Sequence, residues 1–268
     1  PMLENMGLRV IEEFAYDVYT GTDDDKIHYS MHDFYLEEPA QNAIDLSILK
    51  TPMEETLRAI WLGHVDNDGF NKLVRSASLT HRQALILRVY SKYLRQLGSS
   101  YSEFYMQDTL TQYGDISRLL ADLFEIKFAI NDTSKTDRDK AAAKNISKIK
   151  SLLANVDSLD QDRILRNCLN VIECSLRTNF YQKDANGDHK NYISIKIQSS
   201  GVDEAPKPRP YAEIFVYSAR FEGVHLIFGP VARGGLRWSD RKEDYRTEVL
   251  GLVKAQQVKN TVIVPVGA

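Results

Sequence analysis

The sequence predicts a mixed α+β fold: a mostly helical middle, a strand-bearing piece before it, and the opening of an α/β domain after it. Three observations carry this. Strand-like runs bounded by turn residues occur within 8–34 and again within 191–228. Apolar residues recur at helical spacing through 51–181. Beyond these comes a glycine-bracketed basic loop at 229–238, then a helix pattern and an apolar run at 261–266. The expected division is 1–40, 41–183 and 184–268.

In chain order, Gly7 follows Met2, Leu3 and Met6 and reads as a helix C-terminal glycine. Residues 8–11, 18–19 and 27–34 are strand-like, with a turn at 20–25 rich in Thr, Gly and Asp. His28 and His32 share one face of an extended segment but lie about 13 Å apart, too far to share an ion, so no metal site is expected. Met53, Leu57, Ile60 and Trp61 form a stripe at the i, i+4, i+7, i+8 spacing. Thr80-His81-Arg82-Gln83 is a capping box, and Leu85, Val89, Tyr93 and Leu97 follow until Gly98 stops the helix. Asp115 reads as the cap of the next helix, which carries Ile116, Leu119, Leu120, Leu123 and Phe124. Two more helices are expected at 140–155 and 160–181, the second striped by Ile164, Leu165, Cys168, Leu169, Ile172 and Leu176. No fixed-period repeat supports a solenoid.

Arg88, Lys92 and Arg95 share a helix face at i, i+4, i+7. They read either as an anion stripe or, preferably, as a solvated or salt-bridged face opposite the leucines. Asp184-Ala185-Asn186-Gly187-Asp188 spaces its oxygens like a calcium loop. Its sixth and twelfth positions are His189 and Ile195, where glycine and glutamate are needed, so a turn is the better reading. The strand at 191–198 then alternates Ile193, Ile195 and Ile197 against Tyr192, Ser194 and Lys196. A proline-bearing loop or linker at 198–210 follows, then strands at 212–218 and 224–228 joined by Arg220-Phe221-Glu222-Gly223.

Composition narrows the function classes. With 43% hydrophobic and 26% charged residues, long disorder is excluded. A net charge of -3 gives no basic footprint for nucleic acid or anionic membrane. Cys168 and Cys174 lie on different faces of one expected helix, so neither a disulfide nor a thiol metal clamp is expected, and a reducing, cytoplasmic setting fits. No apolar run approaches the ~20 residues of a membrane span, and no signal-peptide pattern opens the chain. Pro1 stands already inside a helix-like pattern and Ala268 follows a buried-strand signature, so an internal piece of a longer polypeptide is expected.

The loop Gly229-Pro230-Val231-Ala232-Arg233-Gly234-Gly235-Leu236-Arg237-Trp238 offers backbone N–H groups and fixed positive charge to an anion such as a carboxylate or phosphate. GPVARGGLRWS, EVLGLVKAQQVKN and VIVPVGA, across some forty residues, resemble the large-subunit class of bacterial NAD-specific glutamate dehydrogenases. They resemble the small glutamate dehydrogenases more loosely. The phrases at 67–73 and 87–96 resemble the helical segment that precedes the catalytic domain in the large enzymes. The resemblance makes 1–40 the C-terminal part of an ACT-like module, 41–183 a helical segment, and 184–268 the truncated N-terminal part of the substrate domain.

The same resemblance implies NAD-dependent interconversion of L-glutamate with 2-oxoglutarate and ammonia in a homo-oligomeric parent. Arg233 stands where the small enzymes carry a lysine ligand for a substrate carboxylate. Arginine keeps the charge and adds a two-pronged grip, but it cannot serve as a free amine. Gly234 and Gly235 let the backbone approach a ligand closely. Lys259, at the family's interval after Glu248-Val249, matches a second substrate lysine; the plain alternative is a helix-terminal lysine set against the macrodipole. Lys254 lies about 140° around the helix from it and reads as surface charge. Arg237 and Trp238 are expected to brace the loop. The family's proton-transfer lysine would follow immediately after Ala268, so no catalytic residue is expected within the chain. No G-x-G-x-x-G occurs, which leaves NAD to another part of the parent and the isolated piece inactive. The competing reading is a non-catalytic helical regulatory or interaction module. A basic-loop phosphate or nucleic-acid binder is disfavoured by the negative net charge.

Overall fold

The computed structural model describes residues 1–22, 25–37, 46–230 and 236–257. Helix α1 (Met2–Asn5) is closed by Gly7, whose φ of 86° suits glycine. Strands β1 (Arg9–Thr20) and β2 (Ile27–Glu37) pair antiparallel with one bulge between Val10 and Glu12. They are longer than expected, because the pairing runs unbroken through the charged middle of β1. Side chains alternate across such a ribbon. One face gathers Phe14, Tyr16, Val18, Tyr29 and Met31, and the other places His28 2.8 Å from Asp17 and His32 2.7 Å from Glu13. Each histidine therefore has a carboxylate for a partner.

The middle consists of α2 (Leu46–Trp61), α3 (Leu73–Ser76), α4 (His81–Gln96), α5 (Glu103–Gln112), α6 (Gly114–Phe128), α7 (Lys135–Leu153) and α8 (Leu159–Cys174). The capping box forms as read: Thr80 accepts from the Gln83 N–H while Gln83 Oε1 accepts from the Thr80 N–H. Helix α4 is buried nearly all round, through Ile86, Leu87, Val89, Tyr90, Tyr93 and Leu94, which marks it as the central helix. Its basic face is salt-bridged, one of the two forms the sequence reading allows. Arg88 is fully buried on Asp68, while Lys92 and Arg95 pair with Glu103 and Glu243.

Four other expectations change. The α2 stripe buries Leu49, Thr56 and Ile60 but leaves Trp61 75% exposed. Asp115 lies inside the first turn of α6, whose N-cap is Tyr113. Helix α8 stops at Cys174 instead of 181, because Lys127 Nζ donates to the carbonyls of Ile172 (2.7 Å), Glu173 (2.7 Å) and Ser175 (3.2 Å) as the chain turns into a strand. Leu176 is thereby exposed. The last strand begins at Phe221 instead of 224, since 221–223 pair with 216–218 across a two-residue turn.

Strands β3 (Ser175–Thr178), β4 (Ile193–Ile197), β5 (Ala212–Ser218) and β6 (Phe221–Ile227) form an antiparallel sheet in sequence order. Ile193, Ile195 and Ile197 face inward as the alternation requires. Asp184 Oδ1 accepts from the N–H groups of Asn186 and Asp188, which makes 184–188 a turn. Helix α9 (Tyr245–Gln257) closes the described chain. One core runs from α4, α6 and α8 into the sheet through Tyr90, Phe124, Ile172, Ile195 and Phe215. Each such side chain contributes roughly 1.5–3 kcal/mol, more than a typical polar contact at this boundary, so the helices and the sheet hold one another. The fold is the mixed α+β class read from the sequence. Among the described residues, no helix is long and apolar enough to cross a membrane.

Candidate functional site: the β6–α9 junction

Arg233, Gly234 and Gly235 fall in sequence between β6 and α9, and Lys259 comes two positions after Gln257, the last described residue. All four fall outside the described residues, as does the apolar run at 261–266. What can be described is the framework on either side of the β6–α9 connection.

The entry side is β5–β6. Alternation along β5 turns Glu213, Phe215 and Tyr217 toward the interior. Glu213 sits directly across from Leu226 of β6, three residues ahead of Gly229. The exit side is α9, whose buried stripe is Arg246, Leu250 and Val253 at i, i+4, i+7. The two sides meet in a fully buried fork: Arg246 Nε and Nη2 donate to the two Glu213 carboxylate oxygens at 2.7 and 2.6 Å. Burial acts to lower the Arg246 pKa, and the Glu213 hydrogen bonds and charge outweigh it, so the guanidinium is held charged. Burial, followed by the Glu213 charge, drives the Tyr93 hydroxyl well above its ordinary pKa.

Helix α4 reaches the same point. Gln96 Nε2 donates to the Lys242 carbonyl at 2.8 Å, and its Oε1 accepts from the Arg246 N–H at 3.3 Å. Arg95 pairs with Glu243 at 3.0 Å. One side-chain amide thus ties down backbone on either side of the start of α9 at Tyr245. The residues before it form a turn, in which Arg241 pairs with Asp244 and Ser239 Oγ donates to Glu248 Oε2 at 2.7 Å.

A second polar cluster fixes the other end of β5. Arg88 donates to Asp68 at 2.8 and 2.7 Å and to Asn71 Oδ1 at 2.8 Å, while the Tyr217 hydroxyl donates to Asp66. Burial raises the Tyr217 pKa and keeps it a donor. Sequence reading missed both Arg246 and Glu213. The available signals were the position of Glu213 on the same strand face as Phe215 and Tyr217, and that of Arg246 on the apolar stripe of α9.

The remaining expectations divide. Lys254 is exposed, as read. Trp238 is 84% exposed, so its bracing is limited to an Nε1 bond of 3.1 Å to Asp240. Cys168 and Cys174 are free thiols, and burial pushes the Cys168 thiol up to about 12, which keeps it un-ionised. Among the described residues, no group of three or more His, Cys, Asp or Glu side chains is placed to hold a metal ion. Every described strand pairing is antiparallel. Among the described residues, therefore, no strand–helix–strand crossover aims a helix N-terminus at a dinucleotide. An open cleft of about 350 Å³ between Gly7–Arg9 and Lys72–Ser76 shares no lining residue with the β6–α9 junction.

Three family models match the chain. They are bacterial NAD-glutamate dehydrogenase, catalytic domain, over 148–268; glutamate dehydrogenase, helical motif 3, over 65–130; and glutamate dehydrogenase, ACT3 domain, over 1–49. The chain is 46% identical over 268 residues to the NAD-specific glutamate dehydrogenase of Halomonas elongata, covering 100% of this chain and 16% of that protein. It is 45% identical over 269 residues to that of Pseudomonas aeruginosa (100% and 16%) and 44% over 278 residues to that of Mycobacterium tuberculosis (100% and 17%). It therefore spans about 16–17% of the length of these curated relatives. With its hairpin, helical middle and C-terminal sheet each matched by a glutamate dehydrogenase model, the chain belongs to the bacterial large NAD-specific glutamate dehydrogenase family.

Proposed function

We propose that this chain supplies substrate-carboxylate contacts to an NAD-dependent glutamate dehydrogenase that converts L-glutamate to 2-oxoglutarate and ammonia. Arg233 and Lys259 hold the two carboxylates of the diacid, and Gly234 and Gly235 let the backbone close on it. The observation that supports this reading is the grip on α9. The helix separating the two cations in sequence is locked at its start by the buried Arg246–Glu213 fork and by Gln96. A site for a small diacid needs such a rigid spacer, because its two charges must be met at a fixed separation.

The proton-transferring lysine belongs at the position after Ala268, and NAD belongs to a part of the parent outside this chain. The division into 1–40, 41–183 and 184–268 is part of the same proposal, as are the cytoplasmic setting, the homo-oligomeric parent and the absence of nucleic-acid and membrane partners. The test compares turnover of glutamate with NAD by this chain and by the full-length enzyme. Turnover confined to the full-length enzyme is the expected result. Turnover by the chain alone refutes the placement of the lysine.

A non-catalytic interaction or regulatory module is the second reading, favoured by the apolar face of the β1–β2 hairpin, which is exposed among the described residues. Ligand-dependent melting separates the two, since glutamate or 2-oxoglutarate raises the transition only where carboxylate contacts exist.

A further inference from the structure

We infer that Glu213, Arg246 and Gln96 are positioning residues for substrate binding: they set the start and the rotation of α9 relative to β6. The inference rests on the reading of Arg233 and Lys259 as carboxylate ligands.

Glu213 is registered against Leu226, and Arg246 is the second residue of α9. A single ion pair therefore ties the strand that enters the Arg233–Gly235 connection to the helix that leaves it. Both side chains are fully buried. A buried pair of this kind pays a desolvation penalty comparable to its attraction, so an apolar pair of similar volume would stabilise the fold about as well. What the apolar pair would not supply is direction. The two-pronged guanidinium–carboxylate geometry fixes orientation as well as distance, and a slip of one residue along α9 would rotate its far end by about 100° and shift it by about 1.5 Å.

Gln96 restricts the same degree of freedom independently. Its amide bonds the Lys242 carbonyl and the Arg246 N–H together, so either a slip or a rotation of α9 breaks at least one bond. Gln96 is 2% exposed and sits on α4, whose position is set by the core. The helical block thereby reaches into the substrate geometry through residues that touch no substrate.

The experiment is steady-state kinetics on the full-length enzyme carrying Arg246→Lys, Glu213→Gln, Gln96→Ala or, as a control, Lys259→Ala, with glutamate and NAD varied in turn. Arg246→Lys keeps charge and burial but loses the fork. It should raise KM for glutamate by about tenfold while KM for NAD changes by less than about twofold. Gln96→Ala leaves the ion pair intact and should shift the same ratio by about threefold. If Arg246→Lys does not accumulate as folded protein, Gln96→Ala and Glu213→Gln carry the test by the same ratio. Folded variants with both KM values unchanged overturn the inference, and so does a fall in kcat alone, the mark of a reduced active fraction. If Lys259→Ala itself leaves the glutamate KM unchanged, the carboxylate reading fails and the inference with it. If Lys259→Ala raises that KM and the positioning variants do not, the positioning inference alone fails.

Discussion

Asp68→Ala tests the buried chemistry at the hinge between the helical block and the sheet. Arg88 is fully buried, and Asp68 supplies its two principal acceptors at 2.8 and 2.7 Å, with Asn71 Oδ1 at 2.8 Å and the Asp66 carbonyl at 3.4 Å as the others. Removing one partner of such a pair costs about 3–5 kcal/mol, because the surviving charge stays buried. Asp68 is itself 17% exposed, which allows water some access and places the loss near the lower end. The same carboxylate accepts from the Phe70 N–H to cap the turn at 69–72, and losing a cap adds about 1 kcal/mol. The total is about 4 kcal/mol, a fall in Tm of roughly 8–16 °C for a chain of this size. Asp68→Asn keeps the cap and one acceptor and should lose about half as much. Thermal unfolding followed by far-ultraviolet circular dichroism reads both. A loss under about 1 kcal/mol for the alanine variant, the range of an exposed pair, would refute the reasoning by showing that Arg88 is hydrated.

Two further outcomes are expected. At Gly114 a methyl group would collide with the Ser76 backbone carbonyl, so Gly114→Ala should lower stability by about 1–3 kcal/mol, read as a lower urea midpoint; an unchanged midpoint would mean that α3 moves aside freely. Burial raises the Glu222 pKa above 4.5, with Lys92 opposing and Glu103 adding to the rise. The folded state therefore favours the neutral acid, and this contribution is complete below the unfolded value and lost as pH rises through the folded one. Glu222→Gln should flatten that stretch of the stability profile and raise stability at neutral pH; an unaltered slope would assign the titration elsewhere.

How much was legible in the sequence follows from the range of the forces involved. The Thr80–Gln83 capping box and the inward face of β4 are decided within a few residues, and both form as read. The end of α8 is decided by Lys127, more than forty residues away, which captures three carbonyls and lets β3 pair with β4. Periodicity alone carried that helix too far. The face of α4 bearing Arg88 reads as solvated or salt-bridged, and the ion pairs form; the full burial of Arg88 was not legible because its partners, Asp68 and Asn71, come from a separate turn. At the candidate site, Arg233, Gly234, Gly235 and Lys259 were named from motif resemblance, and all four lie outside the described residues. Their supports, Glu213, Arg246 and Gln96, emerged only when strand, helix and α4 were brought together.

The central claim is that two cations of this chain meet the two carboxylates of one diacid. Its most direct measurement is the ratio of kcat/KM for glutamate to that for norvaline, which lacks the side-chain carboxylate, in full-length enzyme carrying Arg233→Ala or Lys259→Ala. The account predicts that one variant loses most of the preference for glutamate while the other weakens both substrates alike, since each cation serves a different carboxylate. A preference left intact in both variants would contradict it.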